Sequence, residues 1–416
     1  MSSSNAYLVS GLRTPVGRYG GALSSIRPDD LAAMTIKAVV EEAGIDPATV
    51  DEVIFGNANG AGEENRNVAR MAWLLAGFPD TVPGITVNRL CASGMSAIGL
   101  AAAMIESGQA DIVIAGGVES MSRAPWVMEK PAKPFAKPGE VFDTSIGWRF
   151  VNPMFAKEEK TTFSMPETAE EVARVKNISR EDADTFAAQS QELALKAIEE
   201  GKFNAEIMPV HVTDRKGNVT VINQDEGPRP GTTTEILAKL RPVVRDGKVV
   251  TAGNSSSLND GASAVIVASE TAIEKYGLRP RAKVVGSAHA GLAPEIMGMG
   301  PVPATQKLLK RIGWEINDLD AMELNEAFAT QSLACMRELE VDPSIVNQWG
   351  GAIALGHPLG SSGSRITITL LNRLETEGGT RGVATMCIGV GQGAAIAIER
   401  LDNSITPTDA PNTKEV

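Results

Sequence analysis

An α/β fold is predicted for this chain by three observations. Short apolar runs alternate with longer helical ones, 41 glycines among 416 residues supply tight turns, and the last third repeats the grammar of the first. DDLAAMTIKAVVEEAG predicts a helix stopped at Gly44, and DEVIFGNAN predicts the strand after it. ITVNRL is a strand, SGMSAIGLAAAMIESG a helix ending at Gly108, and DIVIAGGVES another strand. Strands this apolar, separated by helices, imply a sheet covered on both faces. Towards the C-terminus, DAMELNEAF leads from strand to helix, and AFATQSLACMRELE and SSGSRITITLLNRLETEGG are helical. GVATMCIGVGQG and GAAIAIERL are strands joined by a glycine turn. Two halves of the same order, each with a cysteine at a strand end, suggest internal duplication.

The middle of the chain breaks this rhythm. From Ser122 to Val250 it is richer in charge and proline, and SREDADTFAAQSQELALKAIEEG is a polar helix with Ser179 as N-cap and Gly201 as stop. The expected division is therefore residues 1–121 with 251–275 as a first half, 122–250 as an inserted loop domain, and 276–402 as a second half. NSITPTDAPNTKEV, residues 403–416, is polar and proline-containing and reads as a disordered tail.

Charge and composition exclude several functions. A net charge of −12 leaves no basic surplus for nucleic acid or an anionic membrane. Three cysteines do not make a disulfide framework and suit a reducing compartment. MSSSNAYLVSGLRTPVG lacks a basic region followed by an apolar core, and no run approaches the roughly 18–20 apolar residues of a membrane span. A soluble cytoplasmic protein is expected. No histidine pair, CxxC or HExxH has metal-ligand spacing, so no metal site is predicted, and no strand-borne GxGxxG opens the chain for hydride transfer.

Few residues are left to carry chemistry. Cys91 follows the strand ITVNRL and precedes a helix starting near Ser93, where free N–H groups favour a thiolate. Small neighbours, Ala92, Ser93 and Gly94, leave room for a bulky substrate. Cys387 ends the run GVATM ahead of Gly389, Gly391 and Gly393, glycines that permit positive φ and N–H groups aimed into a site. His357 stands between Gly356 and Pro358, on a loop before a helix expected near Ser361–Ser364. Asn325 and Glu326 lie at a strand-to-helix junction, where an asparagine is either a cap or an amide that fixes water and serves an oxyanion. Cys335 reads as core, and His211 and His289 as structural or exposed.

NRLCASGM, NEAFA, GGAIALGHPLG and CIGVGQG, in this order, resemble the signature blocks of the thiolases, the acyl-CoA acetyltransferases, and the resemblance runs from about Tyr7 to Leu401. It implies the thiolase fold, two duplicated βαβαβαββ halves in a five-layer αβαβα sandwich with an inserted loop domain. It implies that Cys91 is the acyl-accepting nucleophile and Cys387 the acid/base at the substrate α-carbon. His357 would activate the nucleophile and help form an oxyanion hole, with Asn325 holding a water there. The N–H of Gly389, with that of Cys91, would form a second hole, and Arg229 and Ser256 would contact coenzyme A. Coenzyme A and acetyl-CoA enter as substrates, with no permanently bound cofactor, and the implied assembly is a homodimer or homotetramer contacting through the loop domain. A thiolase-like protein that binds acyl-CoA or lipid without turnover should lack one of Cys91, His357 and Cys387, and all are present.

Two departures narrow the branch. Val390 stands where many thiolases have glycine, and Ser164-Met165-Pro166 where biosynthetic acetoacetyl-CoA thiolases often have His-Met-Gly. With RYGGALSS, FDTSIGWRFVNP and SMPETAEEVA, they resemble the 3-oxoadipyl-CoA thiolase branch of aromatic degradation. A general acetoacetyl-CoA thiolase of short-chain or fatty-acid metabolism is the alternative. A dicarboxylic acyl chain calls for a cation near its far end, for which Arg149 is the candidate. Arg229, Lys239 and Arg241 are candidates for a basic patch facing the coenzyme A phosphates.

Overall fold

The computed structural model of the chain describes residues 4–155 and 159–402, so the expected tail 403–416 lies outside the described residues. The first half runs β1 (Ala6–Arg13), β2 (Gly17–Arg18), α1 (Pro28–Ala43), β3 (Glu52–Gly56), α2 (Val68–Leu75), β4 (Gly84–Val87), α3 (Ser93–Glu106) and β5 (Ile112–Ser120). The middle segment holds a hairpin β6 (Trp126–Met128) and β7 (Val141–Asp143), and helices α4 (Met165–Lys176) and α5 (Arg180–Glu199). A second hairpin, β8 (Val210–Thr213) and β9 (Val219–Ile222), and α6 (Thr234–Leu237) complete it. β10 (Asn259–Ser269) and α7 (Glu270–Tyr276) close the first half. The second runs β11 (Ala282–Gly291), α8 (Pro301–Ile312), β12 (Ala321–Leu324), α9 (Ala329–Leu339), α10 (Ala352–Leu355), α11 (Leu359–Glu377), β13 (Arg381–Ile388) and β14 (Gln392–Arg400).

The sheet order is β12-β13-β14-β11-β1-β10-β5-β3-β4, with β2 on β10. Read outward from the antiparallel contact of β1 with β11, the two sides mirror one another, β1-β10-β5-β3-β4 against β11-β14-β13-β12. The partner of β4 in the second half is reduced to one parallel bridge, Met322 with Val346.

Alternation sends successive residues of one strand into different cores. In β5, Val113 and Ala115 face inwards, where Ile98, Ala101 and Ile105 of α3 and Ile366, Leu370 and Leu374 of α11 fill the space between the sheet halves. Ile112 and Ile114 face outwards to Leu31, Ile36 and Val39 of α1 and Trp73 of α2. On the far side, Leu308 of α8 and Leu339 of α9 cover Met322, Val383 and Ala397. The layers are thus α1/α2, sheet, α3/α11, sheet, α8/α9. Cys335 lies in that outer core, fully buried, its thiol donating to Gly298 O at 3.2 Å. The inserted segment is tied to the core through Arg13, whose guanidinium meets Glu206 at 2.6 Å and Asp225 at 2.7 Å, all three buried. Ser179 caps α5 by accepting from Asp182 N, and Gly201 stops the chain there at φ 69°.

Candidate active site

Cys91 sits in a tight helical turn, Leu90–Ala92, that leads straight into α3. The turn is knotted by side chains: Asn88 Oδ1 accepts from Leu90 N at 2.9 Å, and Ser93 Oγ accepts from Arg89 N while donating to Leu90 O. Gly94 then allows the start of α3 to touch α11, since a Cβ there would lie 2.7 Å from Gly360 O and 2.5 Å from Ser364 Oγ. That backbone contact brings the N-terminal ends of the two central helices together.

His357 is carried by the other end. α11 begins at Leu359, earlier than expected, because the Pro358 carbonyl accepts from Ser361 N and Ser362 N and the Glu119 carboxylate accepts from Gly360 N at 2.9 Å. His357 N donates to Asn259 Oδ1 at 2.9 Å. Its Nδ1 lies 2.6 Å from Ser362 Oγ, and that hydroxyl spends its only hydrogen on Pro358 O at 2.9 Å. With the hydroxyl donating to Pro358 O, the ring proton is assigned to Nδ1 and Nε2 is the acceptor. Nε2 lies 3.5 Å from Asn325 Nδ2. Burial first, then the charge of Arg365, pushes His357 down to about 3, so the imidazole is neutral.

Asn325 is fixed by its N–H to Thr385 O at 3.0 Å, and its Oδ1 is buried with no partner among the described residues. Cys387 is the penultimate residue of β13, opposite Gly393, 2% exposed in an apolar cluster of Ala169, Val250, Met297, Ala327 and Phe328, with Met165 at its edge. Burial, then the nearby Cys91 and Cys335, pushes its thiol well above the ordinary value. The positive φ angles of the β13–β14 turn fall on Val390 (63°) and Gly391 (73°), not on Gly389 or Gly393. Val390 and Gly391 are the middle and last residues of the three-residue turn between paired Ile388 and Gln392. Gly393 is needed for space instead, because a Cβ there would lie 1.9 Å from Gly300 O.

At Cys91, which is half-buried, two opposing effects meet: the N–H groups the sequence predicts and desolvation. Burial raises its thiol to about 11, outweighing the N–H groups of Gly389 and of Cys91 itself, which pull the other way. The coenzyme A candidates lie further out: Arg229 is exposed with its N–H on Gln191 Oε1 at 2.8 Å, and Lys239 and Arg241 are exposed. Ser256 is half-buried and donates its N–H to Ala327 O at 2.9 Å, next to the apolar cluster around Cys387. Arg149 is half-buried, one residue from Trp148, whose indole N–H reaches Phe163 O at 3.2 Å. His211 is exposed and His289 half-buried.

Cavity size does not locate this site. A surface cavity of about 550 Å³ is lined by Ser24, Arg27, Glu63 and Arg123, and both arginines there are already paired with Glu63. Among the described residues no cluster of three His, Cys, Asp or Glu could hold a metal ion. Two contributors were missed in the sequence. Ser362 was findable as a hydroxyl in the first turn of the helix after His357. Glu119 was findable as the one carboxylate in the apolar run IVIAGGVES; it accepts from Ala58 N, Asn59 N and Gly360 N, and burial raises it to about 7.

Compared with known proteins, the chain matches the thiolase N-terminal domain over residues 6–271 and the thiolase C-terminal domain over residues 278–400. It is 56% identical over 402 residues to the beta-ketoadipyl-CoA thiolase of Pseudomonas aeruginosa, covering 96% of this chain and 100% of that one. The crystal structure of the Bacillus anthracis acetyl-CoA acetyltransferase superposes with a TM-score of 0.90 at 41% identity, covering 96% of this chain and 100% of that one. Human mitochondrial 3-ketoacyl-CoA thiolase in complex with CoA superposes with a TM-score of 0.88 at 40% identity, covering 96% and 98%.

Proposed function

This chain belongs to the thiolase family of acyltransferases, and from that we propose that it cleaves 3-oxoadipyl-CoA with coenzyme A to acetyl-CoA and succinyl-CoA, through an acyl group carried on Cys91. The reading rests on one observation above others. The turn that holds Cys91 packs on both α11 and β13, the Gly389 N–H just after Cys387 acts on the Cys91 sulfur, and His357 Nε2 lies 3.5 Å from Asn325 Nδ2.

The steps derive from that arrangement. Cys91 Sγ attacks the 3-keto carbon as its proton passes to His357 Nε2. The C2–C3 bond breaks, and the acetyl-CoA enolate takes its proton from the Cys387 thiol. Coenzyme A then gives its thiol proton to the Cys387 sulfur and attacks the succinyl thioester. Cys91 leaves and recovers its proton from His357. Two oxyanions form at different places, so two sets of donors are needed. We assign the enolate oxygen to His357 Nε2–H and a water held by Asn325, whose buried Oδ1 suits that task. The tetrahedral oxyanion at Cys91 is assigned to the N–H groups of Cys91 and Gly389.

Coenzyme A and acetyl-CoA are substrates here, and no resident cofactor is required. Arg229 and Ser256, with Lys239 and Arg241, are assigned to the coenzyme A side. A homodimer or homotetramer is supported by apolar surface: Ile85 on the edge strand β4, Leu74, Leu75 and Leu100 nearby, and Trp126 and Phe135 on the loop domain are exposed. A cytoplasmic location is proposed from three free cysteines, and no helix among the described residues is long and apolar enough to cross a membrane.

The decisive measurement is kcat/KM for 3-oxoadipyl-CoA, acetoacetyl-CoA and a medium-chain 3-oxoacyl-CoA. A preference of roughly tenfold or more for 3-oxoadipyl-CoA is expected, narrowed by Arg149→Gln if that cation meets the distal carboxylate. A preference for acetoacetyl-CoA would overturn the substrate in favour of a general acetoacetyl-CoA thiolase.

A further inference from the structure

Glu326 is 1% exposed, next to Asn325 in the chain, and takes no part in the steps above. Its carboxylate nevertheless gathers three separate elements. Ser190 Oγ of α5 donates to Oε2 at 2.6 Å, Asn347 Nδ2 donates to Oε1 at 2.9 Å, and Ile353 N of α10 donates to Oε2 at 3.2 Å. Asn347 in turn clasps the strand leading to Asn325, accepting from Leu324 N at 2.8 Å and donating to Leu324 O at 2.7 Å. α10 leads through Gly356 directly into His357. Gly351 completes the fit, since a Cβ there would lie 2.1 Å from Glu326 Cδ, and its N–H reaches Ser190 Oγ at 3.2 Å.

We propose that Glu326 is the positioning residue that sets Asn325 against His357 and couples that spacing to helix α5 of the inserted segment. The carboxylate holds the strand end that delivers one group and the short helix that delivers the other. A shift at either end changes the 3.5 Å separation of Asn325 Nδ2 and His357 Nε2 directly. Misplacement of this kind acts on the developing oxyanion far more than on substrate binding. The charge is tolerable because three donors meet it; burial raises the carboxyl, and Ser190, Asn347 and Ile353 N pull it back. The inference rests on the reading of Asn325 and His357 as oxyanion partners.

The test uses the full-length enzyme with Glu326→Gln, Glu326→Ala and Ser190→Ala, each alone and combined with Asn325→Ala. Glu326→Gln keeps the volume and one acceptor, and Ser190→Ala removes one donor to the carboxylate together with the acceptor of Gly351 N, so both keep the test alive if Glu326→Ala fails to fold. Expected is a fall in kcat of about a hundredfold for Glu326→Ala, about tenfold for Glu326→Gln and about threefold for Ser190→Ala, with KM within about twofold. In the Asn325→Ala background the further loss should shrink to about twofold or less, because the group being positioned is gone. Wild-type kcat in Asn325→Ala would sink the reading of Asn325 and the inference with it. A loss in Asn325→Ala beside wild-type kcat in Glu326→Gln and Ser190→Ala sinks the inference alone, as do losses that multiply fully in the double variants.

Discussion

Glu119 and Cys387 occupy matching rungs in the two halves of the sheet. Each is the penultimate residue of its strand, and each faces a glycine across an antiparallel ladder, Glu119 opposite Gly261 and Cys387 opposite Gly393. Cys91 and His357 match in the same way, each just ahead of the central helix of its half. The halves share a frame, then, but use it differently. After β13 only Gly389–Gly391 intervene before the partner strand, so the chain turns tightly and Cys387 stays beside Cys91. After β5 residues 121–258 intervene, and Glu119 is spent holding Gly360 N at the start of α11. Matching frames thus give matching positions, while the length of the connection after a strand decides whether a position stays beside Cys91 or is drawn into support.

The largest effects should come from the two thiols, and they should differ. Cys91→Ala is expected to abolish acyl-enzyme formation, seen by intact-protein mass spectrometry after mixing with acyl-CoA, and to cut turnover by about a thousandfold or more. Cys387→Ala should still be acylated yet fail at both condensation and thiolysis. Equal acyl labelling of the wild type and Cys91→Ala would reverse the assignment of the pair.

At the matching rung, Glu119→Gln should leave acylation of Cys91 intact and cost about 1–3 kcal/mol of stability. The pH dependence sharpens this. A carboxyl raised to about 7 in the fold binds a proton that the unfolded chain has released, so its contribution is full below about pH 4.5 and is lost as pH rises through about 7. The stability gap between wild type and Glu119→Gln, from denaturant melts, should narrow between about pH 5 and about pH 8. A gap that widens with pH would show that the three N–H donors outweigh burial.

The smallest effect belongs to the turn. Val390 is a β-branched residue at φ 63°, 42% exposed, and glycine adopts that conformation without strain. Val390→Gly should gain up to about 1 kcal/mol in a denaturant melt, net of the extra backbone freedom of glycine. A loss of that size instead would mean the valine side chain packs usefully in the assembled enzyme.

Much was legible in the sequence because local signals carry it. Alternation and glycine stops marked strands and helices of both halves, including the stops at Gly44 and Gly201 and the starts of α3 and α5. The blocks around Cys91, Asn325, His357 and Cys387 marked the candidate site, since the residue type and its glycine neighbours lie within a few positions of one another. The inserted segment was legible as a change of composition, but not its hairpins, whose strands are only three or four residues long; α4 went unread although Ser164 and Glu167 form a capping box at its start.

The tertiary structure decided everything that depends on distant atoms. The sequence placed Cys91 at a helix start and so predicted N–H groups at its sulfur; the fold adds the Gly389 N–H from the distant β13–β14 turn and sets the sulfur against the central core, where burial pushes the thiol up. The sequence offered a histidine without a tautomer; Ser362 and Pro358 fix it, and only the packed start of α11 brings them together. Glu326 read as a residue beside Asn325, and the fold makes it the point where α5, Asn347 and α10 meet. Which side chains are candidates for chemistry is thus written locally in this protein. Their protonation and spacing come from burial and long-range contact, which no short stretch of sequence contains.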